Sequence, residues 1–324
     1  MNWKGWQIII IIIILIFSQI IAFSANDKAV CHKAFLFKFH GNAGSDTINI
    51  CSDSLAHKTF YEANLNMAVC DDKLCAILVL KLYWDLAGNY ARFDTLPGKP
   101  LTKFDHKRFT NADYQKLDQI LADRNSMLRV LEKEDLVDKS IQIKATTVDA
   151  VTGATPETLK NAVVEGAVYS SFSLWHYTND SIRDLIRDHT KSIYSEEIAS
   201  QMLNSRNYET QLYALKQFST QDFISHFEEL CQVMHKSIPM VKAYIITKLP
   251  LPFEAKEQNK KLAAVFPDLD SYSKSVMLNR ITEDLKLTRI FLPLMLNAKS
   301  LNNRQMEQLL AAGKKYKIRS NRNK

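Results

Sequence analysis

Residues 75–84 read CAILVLKLYW, residues 85–89 read DLAGN, and residues 90–93 return as YARF. A short apolar run, a polar turn containing Gly88, and a second run with aromatics are the marks of a β-hairpin. On its N-terminal side, residues 34–39 (AFLFKF) and 65–70 (LNMAVC) read as further strands, so the first half is expected to hold an antiparallel meander. The PGKP stretch at 97–100 marks a loop. Thr110 is placed to cap a helix over residues 111–121, and Asn125 opens a second short helical segment.

Composition sets the rest of the frame. The chain has 324 residues, 46% hydrophobic and 24% charged, with only eight Gly and eight Pro. These are globular proportions with few chain breakers, which favours long helical stretches. From about residue 180 onward apolar residues recur at three- and four-residue spacing. Three segments there align: residues 213–218 (YALKQF), 244–249 (YIITKL) and 276–281 (VMLNRI), offset by 31 and 32 residues. Each closes a helix with a base near its end. A constant period of this size suggests stacked helical hairpins, and it loosely resembles HEAT-like repeats. The expected fold class is α+β, an antiparallel-sheet domain followed by an all-α domain of helical hairpins.

Forty-two Lys and Arg stand against 35 Asp and Glu, a net charge of +7. Six of those cations fall in residues 313–324, which hold no acid, so the body is nearly neutral. That argues against a nucleic-acid partner. At the other end Lys4 precedes seven consecutive isoleucines, Ile8 to Ile14, and the apolar run resumes after Ser18 and Gln19. One positive flank, an apolar core and small residues at Ala22 and Ser24 read as a secretory signal, with an uncleaved membrane anchor as the alternative. The protein is therefore expected to be extracytoplasmic, with membrane association through this segment. Export permits disulfides. Cys70 and Cys75 flank a polar turn and are the favoured pair; Cys31 with Cys51 is the weaker one. Cys231 reads as a buried thiol.

Most catalytic patterns are missing. The chain holds no Gly-x-Ser-x-Gly, His-Glu-x-x-His, P-loop or Gly-x-Gly-x-x-Gly. His226, Cys231 and His235 point in different directions on a helical wheel, so they do not converge on a metal, and no metal is expected. His176 is expected at a helix C-terminus, where its charge suits the dipole.

One segment stands apart: Asp149-Ala150-Val151-Thr152-Gly153-Ala154-Thr155, followed by Pro156 and Glu157. Physically it reads as a turn feeding a helix. Thr155 suits the N-cap, Pro156 the first helical position and Glu157 the first turn. The helix is expected to run through Val163, Ala167 and Phe172 to about Trp175. Its N-terminus would favour a phosphate near Thr155.

These seven residues resemble the Asp-x-x-Ser/Thr-Gly-Ala-Thr signature of FMN-binding domains. Such domains occur in the exported C subunit of sodium-pumping NADH:quinone reductase and in the G subunit of Rnf complexes. The resemblance implies that a flavin transferase joins FMN through a phosphoester to Thr155, within a signature formed by Asp149, Thr152, Gly153 and Ala154. It also implies electron transfer to a redox protein partner outside the cytoplasm. The domain plan is a signal or anchor over 1–25, an FMN-binding-like domain over 26–178, a helical repeat-like domain over 179–312 and a basic disordered tail over 313–324. The competing reading is a non-enzymatic envelope scaffold that has lost flavin.

Overall fold

The structure is a computed structural model that describes residues 29–39, 44–53, 58–69, 77–103, 106–136, 138–142, 153–154, 159–296 and 301–318, with backbone alone for 138–142 and 153–154. The N-terminal apolar run and the Cys70/Cys75 pair lie outside the described residues. Among the described residues no helix is long and apolar enough to cross a membrane.

The first half is a five-stranded antiparallel meander: β1 (Val30–Phe37), β2 (Asp46–Asp53), β3 (Lys58–Met67), β4 (Leu78–Trp84) and β5 (Tyr90–Thr95), hydrogen-bonded in chain order. Alternation decides which face is inside. Tyr61, Ala63, Leu65 and Met67 on β3 are buried with Leu78, Leu80 and Leu82 on β4, while Asn64 and Asn66 are exposed. β2 and the first half of β3 are not among the expected strands. Their apolar positions, Ile48, Ile50 and Tyr61, are separated by Asn49 and Glu62, a thin signal beside the continuous run of β4.

β1 lies on the sheet edge, and a Cys31–Cys51 disulfide ties it to β2 at directly paired positions. Cys51 is fully buried and Cys31 exposed. The loop closed spans 20 residues. Replacing both cysteines with serine is expected to lower the unfolding free energy by about 3 kcal/mol, chiefly by freeing the unfolded chain. Urea denaturation of the variant checks this; an unchanged midpoint would mean the edge strand adds nothing to global stability.

Helix α1 (Asn111–Ala122) starts as expected. Thr110 accepts from the Asp113 amide while the Asp113 carboxylate accepts from the Thr110 amide, a capping box. After Ser126 a 3-10 turn, Met127–Val130, takes the place of the second short helix. Helices α2 (Val168–Asn179) and α3 (Ser181–Ser192) join the sheet to the rest. Trp84 Nε1 donates to the Thr178 carbonyl at 3.0 Å, Tyr177 Oη donates to Asp46 Oδ2 at 3.0 Å, and the Phe37 ring meets Tyr177 edge-on. Trp175 Nε1 donates to the Asp123 carbonyl at 2.8 Å, tying α2 to the end of α1. His176 sits in the last turn of α2, where Nδ1 bonds Asp180 at 2.7 Å.

The remaining helices are α4 (Glu196–Leu203), α5 (Tyr208–Gln217), α6 (Thr220–Ser225), α7 (Phe227–Lys236), α8 (Pro239–Lys248), α9 (Lys256–Val265), α10 (Ser271–Glu283), α11 (Leu285–Leu296) and α12 (Asn303–Lys315). The last of them includes Gly313, Lys314 and Lys315, so the expected disordered tail is corrected at its start: these residues close a helix. The helices lie in two rows. In one, α4 packs on α7, α7 on α9 and α9 on α11; in the other, α5 packs on α8, α8 on α10 and α10 on α12. Tyr213, Tyr244 and Val276 are each the sixth residue of α5, α8 and α10, so the 31- and 32-residue offsets relate helices that are neighbours in one row. From α10, the Arg280 guanidinium donates to the carbonyls of Ile246 and Leu249 at the end of α8. It thereby satisfies groups that a helix C-terminus leaves open.

Buried side chains form one continuous cluster from Phe37 on the sheet to Leu309 on α12. The Gln201 side chain on α4 makes two hydrogen bonds to the Thr59 backbone of β3, at 2.8 and 2.7 Å. Contact between sheet and helices therefore crosses the sequence boundary expected near residue 178.

Candidate functional site

Gly153–Ala154 form a two-residue strand, β7, paired antiparallel with β6 (Asp138–Gln142). Asp149, Thr152 and Thr155 lie outside the described residues. Downstream of the signature the chain departs from expectation. Residues 159–167 are a series of turns, with the Ala162 amide donating to Leu159 and the Ala167 amide to Val164, both at 2.9 Å. The helix begins only at Val168. Two features override the helical spacing of Leu159, Val163 and Ala167. Gly166 has φ +72°, a left-handed conformation that interrupts a helix. The Val164 amide bonds the Ser171 hydroxyl at 3.0 Å rather than a carbonyl one turn earlier. The single helix expected from Thr155 to about Trp175 is therefore corrected: α2 starts at Val168, after the turns, while residues 155–158, where its N-terminus is expected, lie outside the described residues.

A flavin ring needs free aromatic or apolar walls. Trp84 and Trp175 are fully buried, and both indole N–H groups are committed to backbone carbonyls. Tyr90 donates to Asp118 at 2.5 Å, the Phe93 ring lies tilted against that of Tyr114, and Tyr169 sits below the Lys133 ammonium. Each of these five side chains is engaged by its own neighbours, so together they do not form a flavin cradle. The match to FMN rests on the signature and its acceptor hydroxyl.

Three other arrangements are built from described residues. The first is a buried polar network under the β4–β5 turn. Asp85 Oδ1 accepts from the Ala87 and Asn89 amides at 2.9 and 2.8 Å, and Oδ2 accepts from Asn89 Nδ2 at 3.0 Å and from the Thr210 hydroxyl. Arg183 Nη2 donates to Asn89 Oδ1 at 2.9 Å and to Glu209 Oε2 at 2.8 Å; Arg124 reaches the same Glu209. Burial pushes the Asp85 carboxyl above its ordinary range, against the pull of its hydrogen bonds. Apart from Arg183 Nε, which finds no partner among the described residues, the members are occupied by one another, so the network locks α3 and α5 onto the turn. In sequence, residues 85–89 read only as a turn. The missed signal is Arg183, a charge next to Ile182 on the apolar side of α3.

The second arrangement is Tyr61 with His189. Tyr61 Oη lies 2.8 Å from His189 Nδ1 and 2.9 Å from the Thr190 hydroxyl, and the imidazole packs against the Phe35 and Tyr61 rings. Burial drives the Tyr61 phenol up to about 12 and holds His189 below its ordinary value of 6.5. A histidine depressed in the folded state contributes fully where it is neutral in both states. Its contribution falls as pH drops below the unfolded value, because the unfolded chain takes up the proton first. The expected result is stability that declines as pH falls below about 6.5, with a shallower decline in His189→Asn. Urea midpoints across that range decide it; identical slopes in both proteins would remove His189 as a cause.

The third is the sheet face opposite the core. Around the disulfide lie Glu62, paired with Lys81 at 3.1 Å, and Tyr83, covered by the Arg92 guanidinium at 3.7 Å. The two sulfurs and the Glu62 carboxylate sit within 4.8 Å of one another. The sulfurs are bonded to each other and Glu62 is bonded to Lys81, so this cluster offers no open ligand set.

His226, Cys231 and His235 are separated as expected, though on two helices rather than one. His226 stands at the junction of α6 and α7, with Nδ1 3.1 Å from Glu229. Cys231 is buried, its thiol pushed up to about 12 by burial, and His235 pairs with Asp268 at 3.4 Å. Comparison with protein-family models, curated proteins and solved structures finds no match to this chain.

Proposed function

We propose that the chain is an exported flavoprotein that carries FMN through a phosphoester on Thr155 and passes electrons to a protein partner outside the cytoplasm. The observation that carries this reading is the seven-residue signature from Asp149 to Thr155. Two of its residues, Gly153 and Ala154, lie on the short strand β7 rather than inside a helix. The protein supplies the acceptor hydroxyl and the signature that a flavin transferase reads. FMN, once attached, supplies one- and two-electron transfer. In this reading the covalent bond to Thr155 is what retains the group.

The test is co-expression with a flavin transferase, followed by intact mass and in-gel flavin fluorescence. The wild-type chain is expected to gain one FMN phosphoester. Thr155→Ala is expected to lose all fluorescence with its circular dichroism unchanged, and Thr155→Ser to keep it. Flavin that persists in Thr155→Ala would reject the attachment site.

One observation favours a second reading, the envelope scaffold. Between α8 and α10 a groove of 540 Å³ is lined by Pro239, Met240, Ala243, Tyr244, Thr247 and Tyr272. Met240 is 49% and Tyr272 61% exposed, an apolar surface suited to a protein segment. A chain that gains no mass with the transferase yet retains a partner through this groove would put the scaffold ahead.

A further inference from the structure

Charge in this chain is segregated along the helical rows. Residues 285–324 hold ten Lys and Arg and a single acid, Glu307. Their +9 against +7 for the whole chain leaves −2 for the preceding 284 residues. The terminal pair of helices, α11 and α12, packs together at the end of both rows. It carries five described cations, Lys286, Arg289, Arg304, Lys314 and Lys315, and Lys317 follows just beyond α12. All six are exposed, and among the described residues none is in an ion pair. Elsewhere several lysines and arginines are paired, as Lys242 is with Asp270, Lys103 with Asp113 and Arg183 with Glu209.

The placement is regular. On α11 the exposed positions Lys286, Arg289 and Pro293 follow helical spacing, and Leu285 beside them is 43% exposed. On α12 Arg304, Glu307, Ala311, Lys314 and Lys315 do the same. Beyond them Tyr316 and Ile318 alternate with Lys315, Lys317 and Arg319. Cations interleaved with apolar side chains suit a surface whose charge lies above an apolar layer, where lysine and arginine stems lie flat and their heads meet phosphate. Nucleic acid would reward the same charge but not the exposed leucine.

We propose that this terminal helix pair is a docking surface for anionic phospholipid, and that it holds the helical end of the molecule against a membrane. The inference is independent of flavin attachment. Each cation brought to an anionic lipid surface strengthens binding about fivefold.

The experiment is sedimentation of the full chain with vesicles of phosphatidylcholine alone, and with about one lipid in three replaced by phosphatidylglycerol. The N-terminal apolar run contributes equally to both, so the difference between them reads the basic surface. The wild-type protein is expected to bind the anionic vesicles at least tenfold more tightly, and salt is expected to remove the difference. Lys286→Gln/Arg289→Gln/Lys314→Gln/Lys315→Gln is expected to abolish it while leaving the thermal midpoint in place, because all four side chains are exposed. Lys216→Gln/Lys236→Gln, exposed lysines elsewhere on the rows, is the control and should retain it. Equal binding to both vesicles, or an unchanged preference in the quadruple variant, overturns the proposal. Duplex DNA that displaces the protein from anionic vesicles at matched phosphate concentration would also overturn it, assigning the surface to nucleic acid.

Discussion

Trp84→Ala is expected to lower the unfolding free energy by about 3–5 kcal/mol. Trp84 ends β4 with no exposed surface, and its ring is 6.4 Å from that of Tyr177. Its indole N–H donates at 3.0 Å to the carbonyl of Thr178, in the last turn of α2, where a helix leaves carbonyls without internal partners. One side chain thus fills the space between sheet and helices and satisfies a buried acceptor. The Thr178 hydroxyl beside it is already buried without a partner among the described residues, so the site has little spare polar capacity. Trp84→Phe separates the two roles. It keeps most of the apolar volume and removes the donor, and is expected to cost about 1–3 kcal/mol. Urea denaturation followed by circular dichroism measures both. A Trp84→Ala loss of no more than about 1 kcal/mol would mean that the sheet and helices are held together elsewhere.

Legibility in the sequence follows the strength of local signals. The β4–β5 hairpin is readable because an apolar run, a glycine turn and an aromatic return coincide. The start of α1 is readable because Thr110 and Asp113 form a capping box within four residues. The helical second half is readable from its apolar spacing, and the offsets of Tyr213, Tyr244 and Val276 relate helices that lie side by side. What fails are decisions made by tertiary packing. β2 is held by neighbours on both sides and by the Cys51 sulfur, so its own sequence needs little apolar content. Residues 159–167 have helical spacing, but Gly166 and the Ser171 hydroxyl divert the chain into turns. The polar network is hidden because its members come from residues 85, 89, 124, 183, 209 and 210. Sequence distance gives no hint that they meet. The flavin signature is legible as a pattern, while the helix expected to run unbroken from it to Trp175 begins, in its described part, at Val168.

Gly88→Ala is expected to cost about 4 kcal/mol, and a second glycine shows why. Gly88 and Gly98 have nearly the same left-handed backbone, φ +71° and +72°. A β-carbon at Gly98 meets nothing within 4 Å, so Gly98→Ala carries conformational strain alone, about 1–2 kcal/mol. At Gly88 it would stand 2.7 Å from the Arg183 carbonyl oxygen and 3.0 Å from the Arg183 Cα. Those are backbone atoms of α3, and they cannot swing aside like the end of a side chain. Arg183 is further fixed by Asn89 and Glu209, and Arg187 Nε on the same helix donates to the Ala87 carbonyl at 3.0 Å. The clash therefore pushes the hairpin away from α3 and strips partners from a buried guanidinium whose Nε already lacks one. The loss of stability in Gly88→Ala should exceed that in Gly98→Ala by about 2 kcal/mol, and urea midpoints of the two variants measure the difference directly. Equal losses would show that α3 yields to the turn, and the close packing of Gly88 on Arg183 would then not be what fixes the sheet against the helices.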